Sequence, residues 1–417
     1  MGHKNLVLGD PGRDYPEFLK PVLSRYNDAS LLGANEPVVI RMQEKTAVKR
    51  LQEVARQFPG LTIIDTYAEQ YAELLLSLNA HLYKANYDVQ VASVADMLDK
   101  HYGNKPAWKL GSWVYFPWRN ELVHILAQED FEALRTIRNR DLISSQAQTR
   151  LFNFEVASFG MSVGSAGALA LAISGISRRI KLIDSAVISG SNLNRILTGV
   201  SSVGLSKATV IGRQIYEMNP YSEIAYYDKA TKQNIPRILT KPWKVRAVID
   251  EIDEVETKVR LRYEARKHKL PVLMATDLGD SVMLDVERFD QEPDRPLLHN
   301  LAPGIEKLLE SPPENYRQWT KFATSIIDVK NMSLHLQKSM LKIGSSIVTH
   351  PQLGATVMMT GGVLAFAAKS IALGEELHSG RYVISLENQL LASHQTRKYH
   401  RQHKKHTKVL QKAVDAM

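Results

Sequence analysis

Between residues 150 and 300 the chain alternates short apolar runs with longer stretches of helical periodicity. Residues 153–159 run apolar into Gly160, and 165–174 form a helix of small residues. Residues 179–184 (Arg-Ile-Lys-Leu-Ile-Asp) make a second strand ending in an acid, 207–218 a helix, and 222–227 a strand. Residues 244–249 form another strand closing on Asp250, followed by a helix at 255–268 and a strand at 270–275. Strands alternating with helices of this length predict βαβ units around a parallel sheet. The chain before this region reads as a smaller α/β module. It has a turn at 33–35, strands at 37–42 and 61–65, helices at 44–57 and 67–78, a hairpin over 112–116 and 122–126, and a helix at 131–138. The aromatic cluster Trp108, Trp113, Tyr115 and Trp118 in this module reads as packing, and nothing there places a nucleophile, base or phosphate loop.

Composition narrows the chemistry. A length of 417 residues with 44% hydrophobic and 23% charged positions is that of two or three domains with real cores, not of a disordered chain. Zero cysteines exclude a disulfide scaffold, a thiolate zinc site and a cysteine nucleophile within this chain. Residues 1–10 show no targeting pattern, and the most apolar stretches, 163–176 and 361–373, fall short of the ~20 residues a membrane span needs. The expected location is therefore cytoplasmic. The formal charge of +9 is concentrated at the C-terminus, where Arg397, Lys398, Arg401, Lys404, Lys405, Lys408 and Lys412 face Asp415 alone. Interleaved with His400, His403 and His406, this segment fits a solvated helix, a nucleic-acid contact or a histidine metal site.

The segment Gly160-Met161-Ser162-Val163-Gly164-Ser165 lies between a strand and a helix, where backbone N–H groups can approach a phosphate. Asp184, at the end of the next strand, can accept hydrogen bonds from ribose hydroxyls. By themselves these two features fit a nicotinamide-dependent oxidoreductase as well. Arg195 and Lys207 beyond the second strand are more specific, because they would neutralise a triphosphate that hydride transfer does not need. Asp253, just past a strand end, can hold Mg²⁺. Asp277 and Asp280 follow the next strand, the segment 285–345 is polar and carries Pro312 and Pro313, and His299, His335 and His350 are further candidates for acid–base work.

In order, the glycine loop, the Asp-ending strand, Ser191-Asn192-Leu193-Asn194-Arg195, Gly204-Leu205-Ser206-Lys207-Ala208, Asn219-Pro220 and the strand leading to Asp250 and Asp253 resemble the ThiF/MoeB family of adenylyltransferases. Arg138-Asn139-Arg140 upstream and Pro351-Gln352-Leu353-Gly354 downstream extend the likeness over about residues 135–390. The resemblance implies a Rossmann-like, mostly parallel sheet with helices on both faces. It divides the chain into an N-terminal module at 1–134, an adenylation domain at 135–392 and a basic tail at 393–417. It implies ATP and Mg²⁺ as cofactors and activation of a carboxylate, or a similar oxygen, as its adenylate with release of pyrophosphate. Gly160, Gly164 and Ser165 would cradle the nucleotide, Asp184 bind ribose, and Asn192 and Asn194 line the site. Arg195 and Lys207 would stabilise phosphate charge, and Asp253 would hold the metal. Arg140 matches an arginine that family members insert into the neighbouring subunit's site, implying a homodimer. Substrates consistent with the family are a carboxylate on a small molecule, a peptide C-terminus or a tRNA nucleoside. The loop departs from the family's pattern, with Ser162 and Val163 in place of central glycines, and Ile196 stands where the family has glutamine. A non-catalytic nucleotide- or partner-binding protein on the same fold is the alternative.

Overall fold

The computed structural model describes residues 34–58, 60–310, 326 and 328–415. Pro312 and Pro313 lie outside the described residues, as do residues 1–33 with the start of the expected turn. The first sheet has four strands: β1 (Val38–Arg41), β2 (Thr62–Asp65), β3 (Ser112–Phe116) and β4 (Glu121–Ile125), in the order β1-β3-β4-β2. Helices α1 (Ala47–Gln57) and α2 (Tyr67–Leu78) follow the first two strands as the periodicity predicts. A helix the pattern did not show, α3 (Tyr87–Tyr102), buries no residue and so carries no apolar stripe to betray it. Helix α4 (Gln128–Arg135) starts and ends three residues before the expected span and is followed by a 3₁₀ turn at Ile137–Asn139 and by α5 (Ser145–Phe152).

The second sheet has seven strands. They are β5 (Val156–Phe159), β6 (Arg179–Ile183), β7 (Glu223–Tyr227), β8 (Ala247–Asp250), β9 (Val272–Asp277), β10 (Ser281–Glu287) and β11 (Gly380–Ser385). Their order is β11-β10-β9-β8-β5-β6-β7, parallel from β9 through β7, with β10 and β11 antiparallel at one edge. This is the parallel sheet the alternation predicts, in the Rossmann-like form the family resemblance implies.

Residues along each central strand alternate between two cores. Val156, Ile249 and Leu273 face α6 (Gly164–Ile173), α7 (Lys207–Met218) and the long helix over residues 354–373. Ala157, Phe159, Val248 and Val272 face α8 (Ile235–Thr240) and α9 (Val255–Lys267). Burial on both faces is why these strands read as nearly continuous apolar runs.

Strand β10 was not legible as a strand, because Asp285 and Glu287 interrupt it. Both are buried, and tertiary partners satisfy them: Arg381 Nε donates to Asp285 Oδ1 at 2.7 Å, and Arg262 Nε to Glu287 Oε2 at 2.5 Å. Asp280 therefore sits in the turn of a β9–β10 hairpin. His299 Nε2 lies 3.0 Å from Asp285 Oδ1 and is part of this buried cluster.

After the short α10 (Leu334–Met340) comes α11 (Gly354–Leu373). It is longer than the apolar stretch suggested: with 20 residues and a mean hydropathy of 1.5 it is long and apolar enough to cross a membrane, which corrects the expectation that no stretch reaches that length. Half of it is buried. Small residues allow it to lie close against α6, since a Cβ on Gly361 would stand 2.6 Å from Ala166 O, and one on Gly167 2.9 Å from Leu364 Cδ1.

The first module joins the second sheet without a gap. Val114, Phe116 and Ile125 belong to the same buried cluster as α6 and α7. Tyr221 Oη donates to Leu126 O at 2.6 Å and Trp118 Nε1 to Glu217 Oε1 at 2.6 Å. After α12 (Leu386–Leu390), the basic C-terminal segment is one helix, α13 (Arg397–Asp415), anchored by the buried Leu410. His403 Nε2 lies 2.8 Å from Met332 O, and Gln337 Nε2 donates to Thr407 Oγ1 at 2.8 Å. Among the described residues no cluster of three histidines or carboxylates could hold a metal ion, there or elsewhere.

Candidate nucleotide site

The parallel strands run outward from the β5/β8 pair: β6 and β7 lie on one side, β9 on the other. That reversal creates a crevice beyond the carboxyl ends of β5 and β8, where open α/β sheets bind ligands. Gly160 leaves β5 at this point with φ +84°, and a Cβ there would stand 2.3 Å from Glu251 O at the end of β8. Only glycine permits that close approach. The chain then turns into α6, whose N-cap residue Val163 supplies no side-chain acceptor; Ala166 N donates to Val163 O at 3.1 Å, and the N–H groups of Gly164 and Ser165 are open to an anion. Ser165 Oγ closes the loop by donating to Ser162 O at 2.7 Å.

Asp184 lies against the same loop. Its Oδ2 accepts from Met161 N and its Oδ1 from Ala186 N, both at 2.6 Å. Each oxygen retains a second lone pair for a hydroxyl donor. Lys207 opens α7, where its own N–H donates to Ala186 O at 3.0 Å. Its ammonium makes no ion pair or hydrogen bond among the described residues.

Arg195 is the best-held cation of the group. Its Nε donates to Ser162 Oγ at 3.3 Å, and one terminal nitrogen donates to Ser191 O at 3.0 Å and Asn194 Oδ1 at 2.9 Å. Burial lowers its pKa, while the carboxylates of Asp277 and Asp253 oppose that shift, so both acids lie within electrostatic reach. Ser162, where the family has glycine, thus fixes the arginine. Asp253 is exposed and has no ion pair or hydrogen bond among the described residues.

The structure does not bring every expected residue to the crevice. Asn192 is buried, and its Oδ1 accepts from Ser189 N at 3.0 Å in a cap of the short 3₁₀ turn. Asn194 Nδ2 donates to Gln352 O at 2.9 Å, tying the arginine segment to the start of α11. Arg140 is exposed near the opposite end of α6: neighbouring Asn139 bonds Gln148, which donates to Gly175 O. That is one helix, about 15 Å, from the loop.

Three residues enter that sequence reasoning did not assign. Gln352 Nε2 donates to Asp277 Oδ2 at 3.3 Å and Thr360 Oγ1 to Oδ1 at 3.2 Å; burial raises the Asp277 pKa despite these bonds. Glu251 packs against Gly164 and accepts from Ala275 N at 2.8 Å, and burial pushes its carboxyl well above the usual range. Its place two residues before Asp253 was the only signal. His350 is exposed but acts electrostatically on Asp277.

The fold defines an α/β protein with a Rossmann-like sheet and a candidate ligand crevice at its switch point. Residues 135–408 match the profile of the ThiF family, and the chain belongs to that family. It is 35% identical over 272 residues to the uncharacterized protein MT1398 of Mycobacterium tuberculosis (strain CDC 1551 / Oshkosh), covering 64% of this chain and 37% of that one. It is 33% identical over 122 residues to the tRNA threonylcarbamoyladenosine dehydratase of Escherichia coli (strain K12), covering 29% and 44%. The chain thus spans less than half the length of either curated relative. Among solved structures, PaaA aligns with a TM-score of 0.44 and 18% identity over 62% of this chain and 80% of its own. The E. coli dehydratase in complex with ATP aligns with a TM-score of 0.39 and 23% identity over 58% and 93%.

Proposed function

We propose that this chain is an ATP-dependent adenylyltransferase that activates a carboxylate, or a similar oxygen, without a cysteine thioester. The observation that carries the reading is the gathering of the uncapped α6 N-terminus, Arg195 and the carboxylates of Asp253 and Asp277 at the sheet's switch point. An oxidoreductase would have no use for the arginine held there.

In this reading the open N–H groups of the first turn, with Gly160, Gly164 and Ser165, receive the phosphates, and Asp184 takes the ribose. A carboxylate oxygen attacks the α-phosphorus, the bond from that phosphorus to the bridging oxygen breaks, and pyrophosphate leaves. Arg195, fixed by Ser162, and Lys207, unpaired at the start of α7, stabilise the charge that develops on the phosphates. Asn194 positions Arg195 rather than touching the nucleotide. Asp253, exposed and unpaired, suits Mg²⁺, which takes one or two carboxylates plus phosphate oxygens and supplies Lewis-acid polarisation of a phosphoryl oxygen. With Arg140 a helix length away, a second copy of the chain is the means of supplying an arginine to the crevice, so the active form is a homodimer. The acceptor attacks the adenylate directly, because this chain has no cysteine.

Calorimetric titration with Mg·ATP tests the reading, with NAD and an Arg195→Ala, Lys207→Ala variant as controls, followed by pyrophosphate release in an acceptor screen. Saturable ATP binding lost in the variant, with release about 10²–10³-fold slower, is expected. ATP binding without turnover on any acceptor would favour a non-catalytic protein, and binding of NAD instead would overturn the reading.

A further inference from the structure

Helix α13 presents to solvent a row of cations that the fold leaves unanswered. Lys398, Arg401, Lys404, Lys405, Lys408 and Lys412 are all exposed, as is Arg397, and none forms an ion pair among the described residues. Nor is the helix a loose arm. Leu410 inserts among Leu278, Met283, Met332 and Leu336, and His403 and Thr407 bond the neighbouring elements. The side chains of the row are therefore held along about 23 Å of rigid helix.

Beside its first turn lies a cavity of about 290 Å³, lined by Glu387, His394, Tyr399, His400 and His403. The His394 and Tyr399 rings stack at 3.9 Å between centroids. His394 Nδ1 is buried with no hydrogen-bond partner, Glu387 Oε2 standing 3.7 Å away. Flat rings and an unspent polar atom next to a line of cations match the two needs of a single-stranded nucleic acid: a platform for a base and charge for the phosphates.

We propose that α13 and this cavity bind single-stranded nucleic acid, the phosphates along the basic row and one base against the His394–Tyr399 pair. A membrane surface fits less well. A helix lying in the interface must sink an apolar face into it, and the apolar face of α13 is already spent on Leu278, Met332 and Leu336. The position of the helix matters as well. Leu278 follows Asp277 directly, Ser333 N donates to Leu278 O at 2.8 Å, and Leu410 packs on Leu278, so the basic row stands over the β9–β10 turn at the mouth of the crevice. A strand bound on α13 lies beside the site of activation. That it carries the group to be adenylated rests on the adenylation reading; the binding itself does not.

Fluorescence anisotropy of the full chain with labelled oligonucleotides of about 20 nucleotides, RNA and DNA in separate arms, tests this at several salt concentrations. Binding that weakens steeply with salt is expected. In Lys404→Glu/Lys405→Glu/Lys408→Glu it weakens at least about tenfold, and its log–log salt slope falls by about two, at ~0.7 per lost phosphate contact. Tyr399→Ala, which removes one ring of the stacked pair, weakens binding without changing that slope, as loss of a base contact should. Equal binding by the triple variant and the parent chain, no binding at low salt, or capture by anionic vesicles in preference to both oligonucleotides overturns the proposal. The triple variant should keep its Mg·ATP titration, and in the parent chain ATP binding without nucleic-acid binding defeats this inference alone. Nucleic-acid binding with no ATP binding defeats only the adenylation reading.

Discussion

Directly beneath the crevice, four charged side chains form a buried network whose disruption can be predicted in size. Asp250 and Arg262 are wholly buried, Glu287 is 1% exposed and Lys258 9%. Lys258 Nζ donates to Asp250 Oδ2 at 2.8 Å, and Arg262 bridges Asp250 to Glu287. Two cations and two anions cancel. Burial pushes the Asp250 carboxyl up, but Lys258 and Arg262 outweigh it and hold the pKa below the ordinary carboxylate value.

Glu287→Gln keeps an oxygen for the Leu298 N–H that now donates to Glu287 Oε1 at 2.7 Å, and removes only the charge. One buried positive charge is then uncompensated, which costs about 3–5 kcal/mol. Against a total of roughly 5–15 kcal/mol, that is enough to move a urea transition far to the left. Adding Arg262→Met should restore most of the loss, because the remaining Asp250–Lys258 pair is neutral and a thioether chain fills the space. A single variant less than about 1 kcal/mol below the parent, or a double variant no more stable than the single, would refute the charge-balance argument.

Two further outcomes follow from packing and burial. Gly160→Ala places a methyl group 2.3 Å from Glu251 O at φ +84°, so urea denaturation should show a loss of about 2–4 kcal/mol, and calorimetry a loss of nucleotide binding. Lys181 Nζ donates to the carbonyls of Ile238, Lys241 and Trp243 at 2.5, 2.8 and 2.6 Å, and burial pulls its pKa from 10.5 down to about 8. Between those two values the unfolded chain holds the proton more tightly, so stability should rise with pH there. Lys181→Met should abolish that slope and, with three carbonyls left without a donor, lower stability by about 1–3 kcal/mol each way it is measured.

Much of the fold was legible in the sequence because its strands are buried on both faces and its helices are not. The runs around Val156, Ile180 and Val248 read as strands for that reason, and Tyr67–Leu78 and Lys207–Met218 read as helices by their spacing. The order of Gly160, Asp184, Arg195, Lys207 and Asp253 along the chain marked the site, since each lies just beyond a strand or at a helix start. Tertiary structure decided the rest. Strand β10 exists because Arg262, Arg381 and His299 converge on Asp285 and Glu287 from 25, 96 and 14 positions away, and no local pattern reports a distant cation. Ser162 becomes the anchor of Arg195, and Gln352 of Asp277, only once the sheet and α11 bring them together. The basic terminus reads as a tail in sequence, since its charges outnumber its apolar residues. It is a docked helix because Leu410, His403 and Thr407 meet a surface made of Leu278, Met283, Met332, Leu336 and Gln337, and that meeting depends on the fold of the whole domain.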